Sequence, residues 1–205
     1  MANVVNRTAV PIQILYSVNT PDYPVSDWII NPDLTILGTV PLKYIKIVGD
    51  LLVEMTTEEK AVVDAAELVT YKAQKVNEVC NAREAHIEFG QGVEYPAGSG
   101  KYTATTDKDQ GRWLYWQSIG GKWASLGISY PFRVHSRDGS TYIDITNANG
   151  FTAVVEALGV YVTGLFTAAE TVIQDLQAAT TIAGVDAACA TYIAGAPEIQ
   201  SYTTE

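Results

Sequence analysis

The chain has 205 residues, 23 acidic against 13 basic, a formal charge of −10 and 47% hydrophobic side chains. That length and apolar content suit one large domain or two small ones with a real core, and make a folded rather than a disordered chain the default reading. A pI near 4.6 argues against nucleic-acid binding, which depends on Lys and Arg to neutralise phosphates.

Residues 1–55 read as a compact β-rich module. The opening MANVVNRTAVPIQIL lacks the basic-then-apolar order of a signal peptide, so synthesis and folding in the cytosol are expected. VPIQILY, residues 10–16, predicts a strand. The stretch that follows is an irregular linker around Trp28, where Pro21, Pro24 and Pro32 exclude helix. KYIKIV and LLVEM flank Gly49-Asp50, a pair suited to a two-residue turn, so residues 43–55 predict a hairpin.

Thr56 to Phe89 predicts one long helix, without Gly or Pro. Thr56 can accept the N–H of Glu59 while the Glu59 side chain reaches back, the pattern of a capping box. Val62, Ala66, Val69, Ala73, Val76, Cys80, Arg83 and Ile87 follow a 4-3 spacing, which draws a narrow apolar seam along one side. Some thirty residues make a rod of roughly 46 Å, too long for a chain of this size to cover alone. The seam therefore predicts a coiled-coil stalk between copies of this chain.

Beyond Phe89, Gly90 and Gly92 supply the conformations of a helix exit. VEY and KYTAT predict a second hairpin around PAGSG. Asp107, with Gln110 three residues on, predicts the cap of a shorter helix through RWLYWQSI that Gly120 and Gly121 close. YPFRVHS and TYIDIT predict a third hairpin on Asp138-Gly139. Asn147 or Asn149 can cap a helix over about 150–178, interrupted by Gly159 and Gly164. A last helix over roughly 182–194 follows Thr180-Thr181, and the tail from Ala196 is expected to fray. The fold class is α+β: an N-terminal module over 1–55, a connector helix over 56–90 and a C-terminal α+β domain over 91–205. No fixed-period repeat is evident. No stretch approaches the roughly twenty uninterrupted apolar residues of a bilayer span, so no membrane insertion is expected.

Residues 78–195 carry a resemblance. Ala82-Arg83 at the end of a helix, the Gly90 and Gly92 turn, a hairpin bearing Tyr95 and Tyr102, and Thr106-Asp107 at the next helix start resemble an uncharacterised domain family. That family is found at the ends of tailed-bacteriophage tail-fibre, baseplate and tail-assembly proteins. FTAVVEAL and AATTIAGVDA are similar to its C-terminal part. Upstream, the Pro-Asp-Leu segment at Pro32 and the hairpin leading into MTTEEK resemble a second phage pattern. Gln110, where many members carry Ser, and the aromatic GRWLYWQSIGGKW depart from the family. The resemblance implies a structural virion protein of the phage tail, made in the host cytoplasm, homotrimeric by analogy with tail fibres and docked to other virion proteins. It assigns no catalytic residue and no cofactor.

The chemistry-bearing residues offer little for catalysis. Ser99 lies in Gly98-Ser99-Gly100, a loop signature without the G-x-S-x-G elbow. His86 and His135 have no metal-site spacing with Cys80 or Asp138; His86 is expected on an exposed or trimer-facing side and His135 on a strand face. Glu58 and Glu59 complement the helix dipole. Cys80 and Cys189, both inside predicted helices, are expected to be buried free thiols. Arg83 on the seam either pairs with Glu84 or Asp107, or is solvated near the helix end. The aromatics Trp113, Tyr115, Trp116, Trp123, Tyr130 and Phe132 have three readings: a hydrophobic core, a subunit interface, or a patch stacking on a host-surface glycan. Receptor binding through that patch, and a tail-fibre assembly chaperone, are the alternatives to a structural role.

Overall fold

The computed structural model describes residues 1–9 and 11–196. The fold is α+β and divides into two compact units, Met1–Thr70 and Tyr71–Glu205. The division falls inside the long helix rather than at either of its ends.

Unit 1 is built on a three-stranded antiparallel sheet. β1 (Ala2–Asn6) lies between β2 (Ile14–Val18) and β3 (Trp28–Ile30), with Val5 opposite both Ile14 and Ile29. Two of these strands correct the sequence reading. The strand expected over 10–16 sits at 14–18, beyond Pro11, which has no N–H for a ladder. The linker around Trp28 contributes β3 between Pro24 and Pro32, because β1, unanticipated from sequence, offers it an edge. Pro21 opens a single 3-10 turn, Thr20–Asp22, where its missing N–H costs nothing. Val5, Ile12, Ile29 and Ile45 form the core, with Leu34, Ile36, Leu37 and Leu52 packed against it.

The hairpin over 43–55 forms as β4 (Ile45–Val48) and β5 (Leu51–Glu54), joined by two residues, with Val48 opposite Leu51. Gly49 has φ +62°, and Asp50 is not among the positive-φ residues, the requirement of a II′ turn. α1 (Thr57–Phe89) follows at once. Its capping box is complete: Glu59 N–H donates to Thr56 Oγ1 at 3.3 Å, and Thr56 N–H donates to Glu59 Oε2 at 2.9 Å.

In unit 2, β6 (Val93–Glu94) pairs with β7 (Tyr102–Thr103), and β8 (Phe132–His135) with β9 (Tyr142–Ile145). α2 (Asp107–Gly120) starts one residue earlier than the sequence suggests: Thr106, not Asp107, is the cap and accepts from Asp109 N–H at 3.2 Å. Asp107 stands in the first turn, where its charge favours the dipole. Asn147 accepts from Gly150 N–H and starts α3 (Ala148–Ala178), which runs through Gly159 and Gly164 without a break. Each helical Gly costs about 1 kcal/mol, which burial of Phe151, Val154, Leu158, Ala169 and Leu176 outweighs. α4 (Ile182–Ala194) is capped by Thr181. The tail expected to fray lies, from Pro197 on, outside the described residues.

α3 also corrects the expectation that no segment approaches a membrane span. By length and composition it qualifies, with mean hydropathy 1.5 over an 18-residue window of which 17% is buried. Gly and Thr interleaved with its apolar residues break every uninterrupted run, so the segment escapes notice until its average is taken. A core helix passes the same test.

Candidate functional site

Unit 2 collects the aromatic residues around Phe151. Trp113 and Trp123 are 3% and 1% exposed, and Val93, Ile143, Ile145, Val154 and Leu158 complete the buried cluster. Trp113 meets Trp116 edge to face at 5.2 Å, Trp123 stacks on Tyr130 at 5.4 Å, and Trp123 stands edge-on to Phe151 at 4.8 Å. Such pairs add to the burial of apolar area. The spacing of Trp113 and Trp116 puts them on one side of α2, and that side faces α3. For Trp113 and Trp123 the glycan reading is corrected, because neither has a face open to a sugar ring; Trp116 and Tyr130 are half-buried against the same core. Tyr115, pointing elsewhere on α2, is exposed. Trp123 Nε1 is buried without a hydrogen-bond partner among the described residues.

A cleft of about 380 Å³ beside this cluster is lined by Asp109, Arg112, Trp116, Arg133 and His135. Its charges are engaged, Arg112 with Asp109 at 3.3 Å and Arg133 with Asp144 at 2.9 Å. A second hollow, of about 430 Å³, lies among Lys101, Tyr102, Ser136, Arg137, Asp138 and Ser140. Here Ser136 and Ser140 donate to the Asp138 carboxylate and hold its pKa down at about 2. Arg137 donates to Glu88 O at 2.6 Å, and Lys101 to Tyr142 O at 2.7 Å. Asp138 thus serves its own turn, while Arg137 ties that turn to the end of α1 and Lys101 ties the β6–β7 hairpin to β9.

The α1 seam divides into an exposed and a covered stretch. Val62 and Val69 are 70% and 68% exposed, and Ala66 and Ala73 are exposed too. Val76, Cys80 and Arg83 are partly buried, and Ile87 is buried. Ile87 is therefore a core residue of its own chain rather than part of a face left for another copy. Within unit 2, α3 and α4 supply the cover: Tyr71 OH donates to Asp186 at 2.5 Å, and Tyr161 OH to His86 O at 3.2 Å. Arg83 takes the pairing foreseen with Glu84, at 2.5 Å, and its guanidinium lies 4.1 Å from the centre of the Phe166 ring. His86 is half-buried beside Tyr192, and His135 lies on β8 beside Tyr142.

Both thiols are free, Cys189 buried and Cys80 half-buried, and burial pushes the Cys189 thiol above its ordinary value. Ser99 closes the β6–β7 turn, accepting from Lys101 N–H at 3.2 Å. Glu58 and Glu59 occupy the first turn of α1. Lys46 first, and then Thr56 N–H, hold the Glu59 carboxyl below its usual range. Among the described residues, no group of three or more His, Cys, Asp and Glu comes together to hold a metal. Compared with protein-family models, curated proteins and solved structures, the chain matches none.

Proposed function

We propose that the chain is a non-enzymatic structural component of a bacteriophage tail, a tail-fibre or baseplate-associated virion protein that self-associates and docks onto another virion protein. The observation that carries self-association is the uncovered apolar seam at Val62, Ala66 and Val69, on a helix with a complete capping box and no internal Gly or Pro. Apolar residues repeated at 4-3 spacing and left in water are the feature a second and third helix cover. Homotrimer is the preferred state, by analogy with tail fibres.

The phage context rests on the resemblance, and unit 2 supports it in the order of its elements. α1 ends at Phe89, Gly92 turns with φ +81°, Tyr95 and Tyr102 flank the β6–β7 turn, and Thr106 caps α2. Residues 1–55, which carry the core of unit 1, are the docking module. Light scattering at micromolar concentration tests self-association: a trimer mass is expected, and a strict monomer overturns the seam. Mass spectrometry of purified particles tests residence in the virion. A copy number tied to tail symmetry is expected, whereas absence from the particle favours an assembly chaperone.

A further inference from the structure

α3 is apolar on the side it buries and on the side it leaves in water. Phe151, Val154 and Leu158 enter the unit 2 core, while Val160 is 76% exposed and Phe166 46%. The open side carries a shallow groove lined by Gly159, Val160, Thr163, Gly164, Thr167 and Ala168, with Glu156 the one charged residue at it. Thr167 donates its hydroxyl to Thr163 O at 2.9 Å and Thr171, one turn on, to Thr167 O at 3.0 Å. These hydroxyls are spent on their own helix, and the face turned to water is largely methyl, methylene and glycine. A Cβ on Gly159 or Gly164 meets nothing within 4 Å, so packing within the chain accounts for neither glycine.

A helix apolar all round belongs to the interior of a large protein or to a membrane. An interior helix is mostly buried, whereas only 17% of the apolar window of α3 is. Three features then favour lipid as the occupant. Over residues 148–169 the only charged side chain in 22 residues is Glu156. That stretch is about 33 Å long as helix, against roughly 30 Å of hydrocarbon. The threonine hydroxyls are satisfied by backbone of the same helix, as they must be where no water reaches. Finally, all 13 Lys and Arg and both His lie at or before Arg137. Lys and Arg hold a chain on the side it approaches from, and a segment free of them is the one that crosses.

We infer that α3 enters a lipid bilayer, with residues 148–169 as the span, α4 carried across, and Glu156 as the group whose protonation admits it. A charged Glu156 opposes transfer into lipid and the neutral acid does not. Its side chain is exposed and has no hydrogen bond or ion pair among the described residues. The elements packed against α3 carry Lys72, Arg83, Glu84 and His86 on α1, Glu94 on β6, and Asp107, Lys108, Asp109, Arg112 and Tyr115 on α2. β9 adds Tyr142 and Asp144, and α4 adds Asp186, Cys189 and Tyr192. None of these is bonded to Glu156, so its protonation breaks no contact. One proton is taken up per insertion, and insertion rises by up to about ten-fold per pH unit of acidification while Glu156 is charged. Phe151, Val154 and Leu158 exchange one apolar surrounding for another. Trp113, Trp116 and Tyr130, which pack on Phe151, are of the residue types that settle at a membrane–water interface.

The test uses the full-length protein and phosphatidylcholine vesicles. Flotation should find about ten-fold more protein on vesicles at about pH 4.5, near the ordinary titration of a glutamate, than at neutral pH. Pepsin added outside at the acid pH should leave a protected fragment that spans residues 148–169 and continues through α4, and no such fragment without vesicles. Glu156→Gln should insert at neutral pH about ten-fold better than the wild type, a reading that acid unfolding does not produce. Val160→Lys, at a position the fold leaves open, should keep the fold and abolish the protected fragment. Absence of flotation at acid pH, flotation without the fragment, or a fragment that lacks α4 overturns the span. So does a Val160→Lys variant that inserts like the wild type, or a Glu156→Gln variant with the wild-type pH profile. If vesicles are not bound and Val160→Lys instead lowers the mass seen by light scattering, the open side of α3 is an interface between copies and lipid is overturned as its occupant.

Discussion

The two stretches of α1 on either side of Thr70 are alike in sequence and opposite in environment. Before it, Val62 and Val69 are left largely in water, and Lys43 and Tyr44 of the turn before β4, with Lys46 of β4, cover another side. After it, Val79, Ala82, Ala85 and Ile87 are buried, with Tyr71 and Lys72 tied to Asp186 and Gln177 O. The seam pattern runs unchanged through both, so the pattern does not decide what is covered. What decides it is whether later parts of the chain return to the helix. Within unit 2, α3 and α4 return to the second stretch, and the exposed first stretch is the one we propose a further copy covers.

The largest way to break the comparison is to place a charge on each stretch in turn. Val79→Asp buries an unpaired carboxylate and should cost about 4 kcal/mol or more, read as loss of the cooperative thermal transition. Val62→Lys with Val69→Lys should change monomer stability by no more than about 0.5 kcal/mol, yet convert the proposed trimer to monomer in light scattering. A large stability loss in the second pair would show that the exposed stretch is covered within the chain. A moderate effect is expected of Thr56→Ala, about 1 kcal/mol. It should appear as faster amide exchange over residues 57–62, with Val79 and Ile87 unchanged. Tyr71→Phe, which removes the hydroxyl from Asp186, should cost about 1 kcal/mol or less and raise exchange only after Thr70.

The smallest effect is one of pH. Glu59 is held below its ordinary value of 4.5 by Lys46 and Thr56, and Glu78 by Lys75 and then Gln74. Since both folded values are lowered, their stabilisation is present above pH 4.5 and lost as pH falls through the lowered values. NMR titration should give midpoints below 4.5 for both carboxyls. A Glu59 midpoint at or above 4.5 would remove the ion pair from the account of the helix start.

Much of the architecture was legible where a local signal is self-sufficient. Gly49-Asp50 names its hairpin, Thr56 and Glu59 name the start of α1, and two more starts were marked to within a residue or two, by Asn147 or Asn149 and by Thr180-Thr181, of which Asn147 and Thr181 are the caps. Each works through a hydrogen bond or a dihedral within a few residues. Misses arise where a partner is required. β1 and β3 are short strands that exist as a pair, and neither has a turn signal that points to the other. Thr106 and Asp107 are both good caps, so their order is settled by the register of the first turn, where Gln110 reaches back to Thr105 O at 2.8 Å.

By itself, the sequence determined the α+β class, four helices, three hairpins and the extent of the long helix. Those follow from propensity, capping and turn chemistry acting over a few residues. Only the tertiary structure decided which side chains are inside. It closed Trp113 and Trp123 into a core, took Ile87 from the seam, and left Val62 and Val69 open. Burial depends on what else occupies the same volume, and that is fixed by segments a hundred residues away.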